Sequence, residues 1–348
     1  MNDQQQEKLQ VDPYRILLIG WNSTHVRAYI QELIGAGHKV FWCGHQAHEI
    51  KGLVGWFDME KLPAAASIHD GNSVGYRPFK VESLLDMLGG WKMAWDVILH
   101  FDDWNIPSDF HKLHIPYIYY CSELFFPVVP GIADYVLTPS YAAMELLMKK
   151  YKNKYKFAVL PWAIRYEMLG QSPHFEKERD IPCSFAGKVH AYKFYEQRQQ
   201  MLPALADLIP GFEGHWYRPA EGLEAFDPGF KFKVERGKGQ LDGLEYTNLL
   251  LNSKFGINFP TLLGPNFRDY EVPGCGAILL TLETQDHHLA GFEDGVNCYY
   301  FKTVEDVLEI VNERYDKDLA VRAWEWIQQE NTYHDRYLVL QEMLDNIL

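Results

Sequence analysis

Short, continuous apolar runs ending in glycine or polar residues recur along the first half of the chain. The first, Arg15-Ile-Leu-Leu-Ile-Gly20, suits a strand buried on both faces, as in a parallel sheet. A polar loop from Trp21 to His25 follows, with Ser23 or Thr24 placed to cap a helix running to about Leu33. Gly35, Gly37 and His38 then turn the chain into Lys39-Val40-Phe41-Trp42-Cys43, which predicts a right-handed strand–helix–strand crossover. Further strands are predicted over 97–101, 117–120, 135–137 and 157–160, the last stopped by Pro161. Residues 163–180 carry charge, Gly and Pro and read as a connection between domains.

A second rhythm follows, with strands predicted over 183–186, 230–234, 255–259 and 277–280. Helices are predicted over 195–208, 244–252 and 304–315, and from Leu319 a helical tail reaches the end with an interruption at Asn331. Two consecutive α/β halves predict two Rossmann-like, doubly wound domains facing an interdomain cleft, with ligands at the carboxyl ends of the strands. The expected boundaries are a disordered tail over 1–12, a first domain over 13–165, a second over 166–330, and a helix over 331–348 packing back on the first.

Composition narrows the class. With 348 residues, 47% hydrophobic and 23% charged, the chain is long enough for two cores and is not disordered as a whole. No run approaches the roughly 20 apolar residues of a membrane span. The opening MNDQQQEKLQ lacks the basic start and apolar stretch of a signal peptide. Five scattered cysteines without a Cys-x-x-Cys pair argue against a disulfide framework or a zinc knuckle, so a cytoplasmic location is expected. A net charge of −14 disfavours a polyanion, and no nucleic-acid partner is expected.

The most informative stretch runs from Gly264 to Thr281 (GPNFRDYEVPGCGAILLT). Arg268 and Glu271 are three apart and share one face of a helical turn, where a guanidinium suits a diphosphate and a carboxylate suits ribose hydroxyls. The same spacing fits an exposed ion pair. Gly264-Pro265-Asn266 can present backbone N–H groups to phosphate at a helix start, and Gly274 and Gly276 permit close backbone approach. Pro273 predicts that the helical turn is short.

This segment resembles the C-terminal signature of the CgeB-like (spore-maturation-type) glycosyltransferases of the GT-B superfamily: Arg268-Asp-Tyr-Glu271-Val-Pro273-Gly-Cys-Gly276. The resemblance extends to Glu245-Tyr246, to 252–259, to Asp294-Gly295 and to Thr332-Tyr-His-Asp-Arg-Tyr337, about the last 170 residues. The first half shares general GT-B features such as Gly37-His38-Lys39-Val40 and Asp134 to Ser140.

The resemblance implies a GT-B glycosyltransferase that uses a nucleotide sugar, with a UDP-sugar favoured, as co-substrate and needs no other cofactor or metal. It implies that Glu271 binds the ribose. Retaining relatives carry a second glutamate eight residues earlier, where this chain has Leu263, so the donor sugar and the stereochemistry stay open. Candidate diphosphate contacts are Gly187 and Lys188 of the loop after the second domain's first strand, Arg198, and above all Arg268. Lys188 also fits a solvated loop lysine and Arg198 a surface helix position. Candidate catalytic groups are His25, Asp102 and Glu123 near strand ends of the first domain. His25 fits a general base or a donor hydrogen bond, and equally a solvent-facing helix start.

Three patterns carry less. Gly237 to Gly243 is one residue too long for a dinucleotide fingerprint and reads as a loop. Asp316-Lys-Asp318 reads as an exposed helix connector, and Asp286-His287-His288 as a polar loop lacking a third metal ligand. Two rival readings remain beside a transferase with an unidentified acceptor: a catalytically silent scaffold that binds a glycan or partner, and a transferase acting on modified DNA.

Overall fold

The computed structural model describes residues 13–20, 23–44, 50–58, 95–101, 114–122, 133–152, 154–171, 173–188, 196–217, 241, 243–260 and 264–348. The chain divides into two compact units. One is formed by Met1–Thr138, Leu147–Ala158 and Tyr337–Leu348, the other by Pro139–Leu146 and Val159–Arg336.

The apolar runs of the first half become one sheet: β1 (Arg15–Gly20), β2 (Lys39–Gly44), β3 (Gly55–Asp58), β4 (Val97–Phe101), β5 (Tyr117–Tyr120), β6 (Tyr135–Thr138) and β7 (Lys156–Val159). The order is β3-β2-β1-β4-β5-β6-β7. β1 pairs in parallel with β2 on one side and β4 on the other, Leu17 lying beside Phe41 and Ile98. Helix α1 (Thr24–Gly35) starts where Ser23 accepts a hydrogen bond from the Val26 backbone N–H. It buries Val26, Tyr29, Ile30 and Leu33, the stripe a 3.6-residue period requires. Gly37 then turns the chain at φ 98°, a conformation that favours glycine. Helix α2 (Tyr141–Tyr151) follows β6.

The second sheet contains β8 (Ile181–Lys188), β9 (Glu213–Tyr217), β10 (Ser253–Ile257), β11 (Ile278–Leu282) and β12 (Tyr299–Phe301). All neighbours are parallel, in the order β12-β11-β10-β8-β9. Helices α3 (Glu196–Leu208), α4 (Gly243–Leu251), α5 (Phe267–Gly274), α6 (Gln285–Leu289), α7 (Val304–Glu313) and α8 (Lys317–Glu330) accompany it. Phe185, Leu202, Leu205, Phe255, Ile278 and Leu280 belong to its core. Asp316 caps α8 by accepting from the Asp318 N–H at 2.8 Å, so this Asp-x-Asp is a connector as expected.

Helix α9 (Tyr333–Ile347) begins after the break at Asn331; its residues through Arg336 belong to the second unit and those from Tyr337 to the first. Within the first unit His38 holds it. Nδ1 of His38 accepts from the Tyr14 N–H at 3.1 Å, and Nε2 lies 2.8 Å from Gln341 Oε1.

Three strands escaped the sequence pattern. β12 has three residues, β3 has four, and β9 (EGHWY) mixes polar with aromatic positions, so none forms an apolar run. The strand expected over 230–234 lies outside the described residues. Among the described residues, no helix is long and apolar enough to cross a membrane. All five cysteines are buried free thiols.

Candidate functional site

In a doubly wound sheet ligands gather beyond the strand carboxyl ends, at the point where successive strands are added on opposite sides. In the second sheet that point lies between β8 and β10, because β9 is added on one flank of β8 and β10 on the other. β8 ends in Gly187 and Lys188, and β10 is followed by Asn258 and Phe259.

Arg268 reaches this point from the first turn of α5. Its Nη1 donates to Asn258 Oδ1 at 2.9 Å, and its guanidinium lies over the Phe185 ring at 5.0 Å. The absence of a side chain at Gly187 makes that position possible: a Cβ there would stand 2.5 Å from Arg268 Nη2. Two sequence candidates distant along the chain are thus one structural feature. The Arg268 Nε is buried and has no hydrogen-bond partner among the described residues.

Arg198 departs from its expected surface position. It is 5% exposed, and its Nη2 donates to the Phe259 carbonyl at 2.7 Å while its guanidinium packs over the same Phe185 ring at 5.5 Å. Lys188 closes β8; its side chain lies outside the description.

Asn266 caps α5, its side chain accepting from the Arg268 N–H at 3.0 Å while its own N–H donates to Asp269 Oδ2 at 2.7 Å. Its polar side chain therefore sets the start of the helix that carries Arg268. Trp162 packs on Phe267, the first residue of α5, with ring centroids 4.0 Å apart. α5 is short, as Pro273 suggested. Gly274 serves packing: a Cβ there would stand 2.2 Å from Ile164 Cδ1, so its bare face is spent on a buried neighbour rather than on ligand approach.

Glu271 does not pair with Arg268. It is 2% exposed, its Oε1 pairs with Arg165 Nε, and its Oε2 accepts from the Tyr246 hydroxyl at 2.9 Å. The Arg165 guanidinium also lies over the Tyr246 ring at 5.5 Å. Burial alone would push the Arg165 guanidinium down, but Glu271 and the Tyr246 phenol outweigh it and hold it above its ordinary value. Burial, followed by the Glu271 charge, pushes the Tyr246 phenol far up, so the hydroxyl stays a donor.

Beneath Arg268 runs a buried polar network that sequence reasoning missed. Asp269 is fully buried and accepts from Asn258 Nδ2 at 2.8 Å and from Thr281 Oγ1 at 3.0 Å; His287 Nε2 lies 3.3 Å away. His287 Nδ1 meets Thr284 Oγ1 at 2.6 Å. Burial pushes the Asp269 carboxyl up, yet His287 and the hydrogen-bond donors outweigh it and hold it below the usual range. Asp269 accepts from the amide nitrogen of Asn258, which leaves the amide oxygen to Arg268. The polar reading of 286–288 is corrected here: these residues lie in α6, capped by Thr284, with Asp286 and His287 buried. Asp286 accepts from the Ala142 N–H at the start of α2. Among the described residues no cluster of three His, Cys, Asp or Glu side chains could hold a metal ion. The one sequence signal for this network was polar Asn258 interrupting the apolar run Phe255-Gly-Ile-Asn-Phe259.

In the first sheet the corresponding point lies between β1 and β4, and His25 stands beside it in the first turn of α1. It is buried rather than solvent-facing, 9% exposed, with Nδ1 3.0 Å from Ser23 Oγ and its ring against Phe101 and Tyr120. Burial pushes its pKa down to about 3, so the imidazole is neutral across the physiological range. That suits a hydrogen-bonding group better than a proton acceptor. Asp102, Glu123 and Leu263 lie outside the described residues.

Comparison with known proteins places this geometry. Residues 197–345 match a family model described as "Glycosyl transferase-like". No curated protein matches the chain by sequence at a significant level. HepE from Anabaena, solved with UDP-glucose, superposes with a TM-score of 0.61 at 10% identity, over 96% of this chain and 100% of that one. The DNA-modifying β-glucosyltransferase, solved with and without uridine diphosphoglucose, gives 0.61 at 10% identity, over 95% and 99%. A chain of the GtfA/B complex gives 0.51 at 11% identity over 77% of this chain, which spans 60% of that chain's length. At such identities the likeness establishes the fold: two parallel α/β units of the GT-B type.

Proposed function

We propose that the protein is a glycosyltransferase that moves a sugar from a nucleotide donor, a UDP-sugar in the first instance, to an acceptor hydroxyl. The observation that carries this reading is the meeting of Arg268, Gly187 and Asn258 at the β8/β10 switch point, where the GT-B fold binds its donor. The glycosyl transferase-like match over 197–345 takes in Asn258 and Arg268, and HepE and the DNA-modifying β-glucosyltransferase were both solved with UDP-glucose. The CgeB-like branch of the superfamily, a cytoplasmic setting and a non-nucleic-acid acceptor belong to the same proposal.

In the reaction, the acceptor oxygen forms a bond to the sugar's anomeric carbon as the bond from that carbon to the diphosphate breaks. The electron pair leaves with UDP, and the acceptor proton passes to a base or to the departing phosphate. In this reading Arg268 stabilises the charge that develops on the diphosphate, and the transfer needs no metal ion; Phe185, Asn258 and the space at Gly187 support the guanidinium. His25, neutral and fixed by Ser23, is assigned a hydrogen bond to the reacting sugars.

Calorimetric titration with UDP, together with an assay of nucleoside diphosphate release from a panel of UDP-, GDP- and ADP-sugars, tests the proposal. Binding of UDP and slow release from one sugar nucleotide are expected, both weakened at least tenfold by Arg268→Ala, the value of one charge-assisted hydrogen bond at its lower end, about 1.5 kcal/mol. Absence of both binding and release across the panel sinks it in favour of a silent scaffold.

A further inference from the structure

The two oxygens of the Glu271 carboxylate are held differently. Oε2 accepts from the Tyr246 hydroxyl at 2.9 Å, whereas Oε1 faces Arg165 Nε as an ion pair. Oε1 is buried, yet among the described residues no N–H or O–H donates to it with hydrogen-bond geometry. A buried carboxylate oxygen without a donor is costly, and a hydroxyl brought by a ligand removes that cost. The ribose contact that the sequence resemblance implies for Glu271 therefore has an open acceptor in Oε1.

Tyr246 decides how that acceptor is turned. Burial, followed by the Glu271 charge, keeps the phenol protonated, and the single hydrogen it carries goes to Oε2. Both ends of this bond stand on fixed backbone. Tyr246 is buried on α4, which packs against β8 and β10, and the Arg165 guanidinium lies over its ring at 5.5 Å. On the other side α5 is pressed onto β10: a Cβ at Gly256 would stand 2.7 Å from Cγ1 of Val272, the residue after Glu271. The Glu271 carbonyl accepts from the Cys275 N–H at 3.1 Å. What remains free is rotation of the carboxylate about its own side-chain bonds, and the bond from Tyr246 restrains it. Arg165 supplies charge rather than direction, and that charge is shared between Glu271 and Glu167.

We infer that Tyr246 is a positioning residue for the donor's ribose: its hydroxyl holds Oε2 of Glu271 and thereby presents Oε1 to a ribose hydroxyl. The inference rests on the nucleotide-sugar reading above and deepens it. Tyr246 acts through the carboxylate and does not itself touch the nucleotide.

The test uses the full chain and calorimetry with two probes, UDP and 2′,3′-dideoxy-UDP, which lacks both ribose hydroxyls. Wild type should bind UDP at least tenfold more tightly than the dideoxy probe, about the size of one charge-assisted hydrogen bond. Tyr246→Phe keeps the ring and removes only the hydroxyl. It should bind the dideoxy probe as wild type does and UDP about three- to tenfold less tightly, so that the preference for the hydroxyls narrows. Glu271→Gln should narrow the same preference, and adding Tyr246→Phe to it should narrow it no further. Equal weakening of both probes by Tyr246→Phe, or loss of both with a large fall in melting temperature, would assign the tyrosine to packing alone and overturn the inference. Unchanged affinity for both probes, or an undiminished effect of Tyr246→Phe in the Glu271→Gln background, overturns it as well. If wild type binds UDP and dideoxy-UDP equally, the ribose contact and this inference fall while the donor reading stands. A wild-type chain that binds no UDP refutes the donor reading itself.

Discussion

Replacing Gly187 by alanine tests the donor site without touching a charge. The new methyl would stand 2.5 Å from Arg268 Nη2, 3.2 Å from its Cζ and 3.3 Å from Phe185 Cζ. The nearest atoms belong to the end of a flexible side chain, so the guanidinium swings away and the fold loses little. The cost in stability should stay near the low end of overpacking, about 1 kcal/mol. The displaced guanidinium gives up its 2.9 Å bond to Asn258 and its seat on Phe185. If Arg268 contacts the diphosphate, binding should lose the value of a charged hydrogen bond, about 1.5–3 kcal/mol, or roughly ten- to a hundredfold in Kd. Calorimetry with UDP, beside urea unfolding of the same samples, separates the two effects. An Arg268→Ala background closes the cycle, since the alanine at 187 should then cost no further affinity. Unchanged UDP affinity in the single variant, or an equal loss with and without Arg268, would refute the reasoning.

Further outcomes follow from three buried groups. Asp269→Ala should cost about 3–5 kcal/mol in urea unfolding at neutral pH, because it strips a buried partner from His287, Asn258 and Thr281. The folded Asp269 carboxyl is held below its unfolded value, so its contribution is present above about pH 4 and fades as pH falls through the folded pKa; Asp269→Asn should flatten that acid limb. His25, with a folded pKa of about 3, stays neutral while the unfolded imidazole protonates near 6.5, so acidification between those values destabilises the protein through this residue. His25→Gln should therefore reduce the loss of stability on going from pH 6.5 toward 3, by about 1.4 kcal/mol per pH unit at most, as read from denaturant unfolding. Arg198→Ala should lower stability by about 1.5–3 kcal/mol, since it leaves the buried Phe259 carbonyl without its donor; an unchanged melting temperature would return Arg198 to the surface role its neighbours in sequence suggested.

Much of the architecture was legible along the chain because burial on both faces writes an uninterrupted apolar run. Ile16 to Ile19 and Val97 to Phe101 announce central parallel strands, and both are buried in the sheet. Caps are equally local: Ser23, Asn266 and Asp316 each accept from a backbone N–H two or three residues on, so their helix starts can be read without knowledge of the fold. Edge and short strands such as β3 and β12 bury too few consecutive residues to leave that signature, and α6 was obscured because its buried face is made of Asp286 and His287.

The sequence by itself determined that Arg268 and Glu271 share a turn of helix, because a three-residue spacing on a helix fixes a common face. Tertiary structure decided what each of them meets. Arg268 finds Gly187 and Asn258 because β8 and β10 are neighbours in the second sheet, and Glu271 finds Arg165 and Tyr246 from two other segments of the same unit. Periodicity records which side of an element is apolar, but it holds no record of which distant segment will cover that side. Partners of buried charges are chosen by packing, and the distinction between a carboxylate that touches a ligand and one that holds an arginine exists only once the chain has folded.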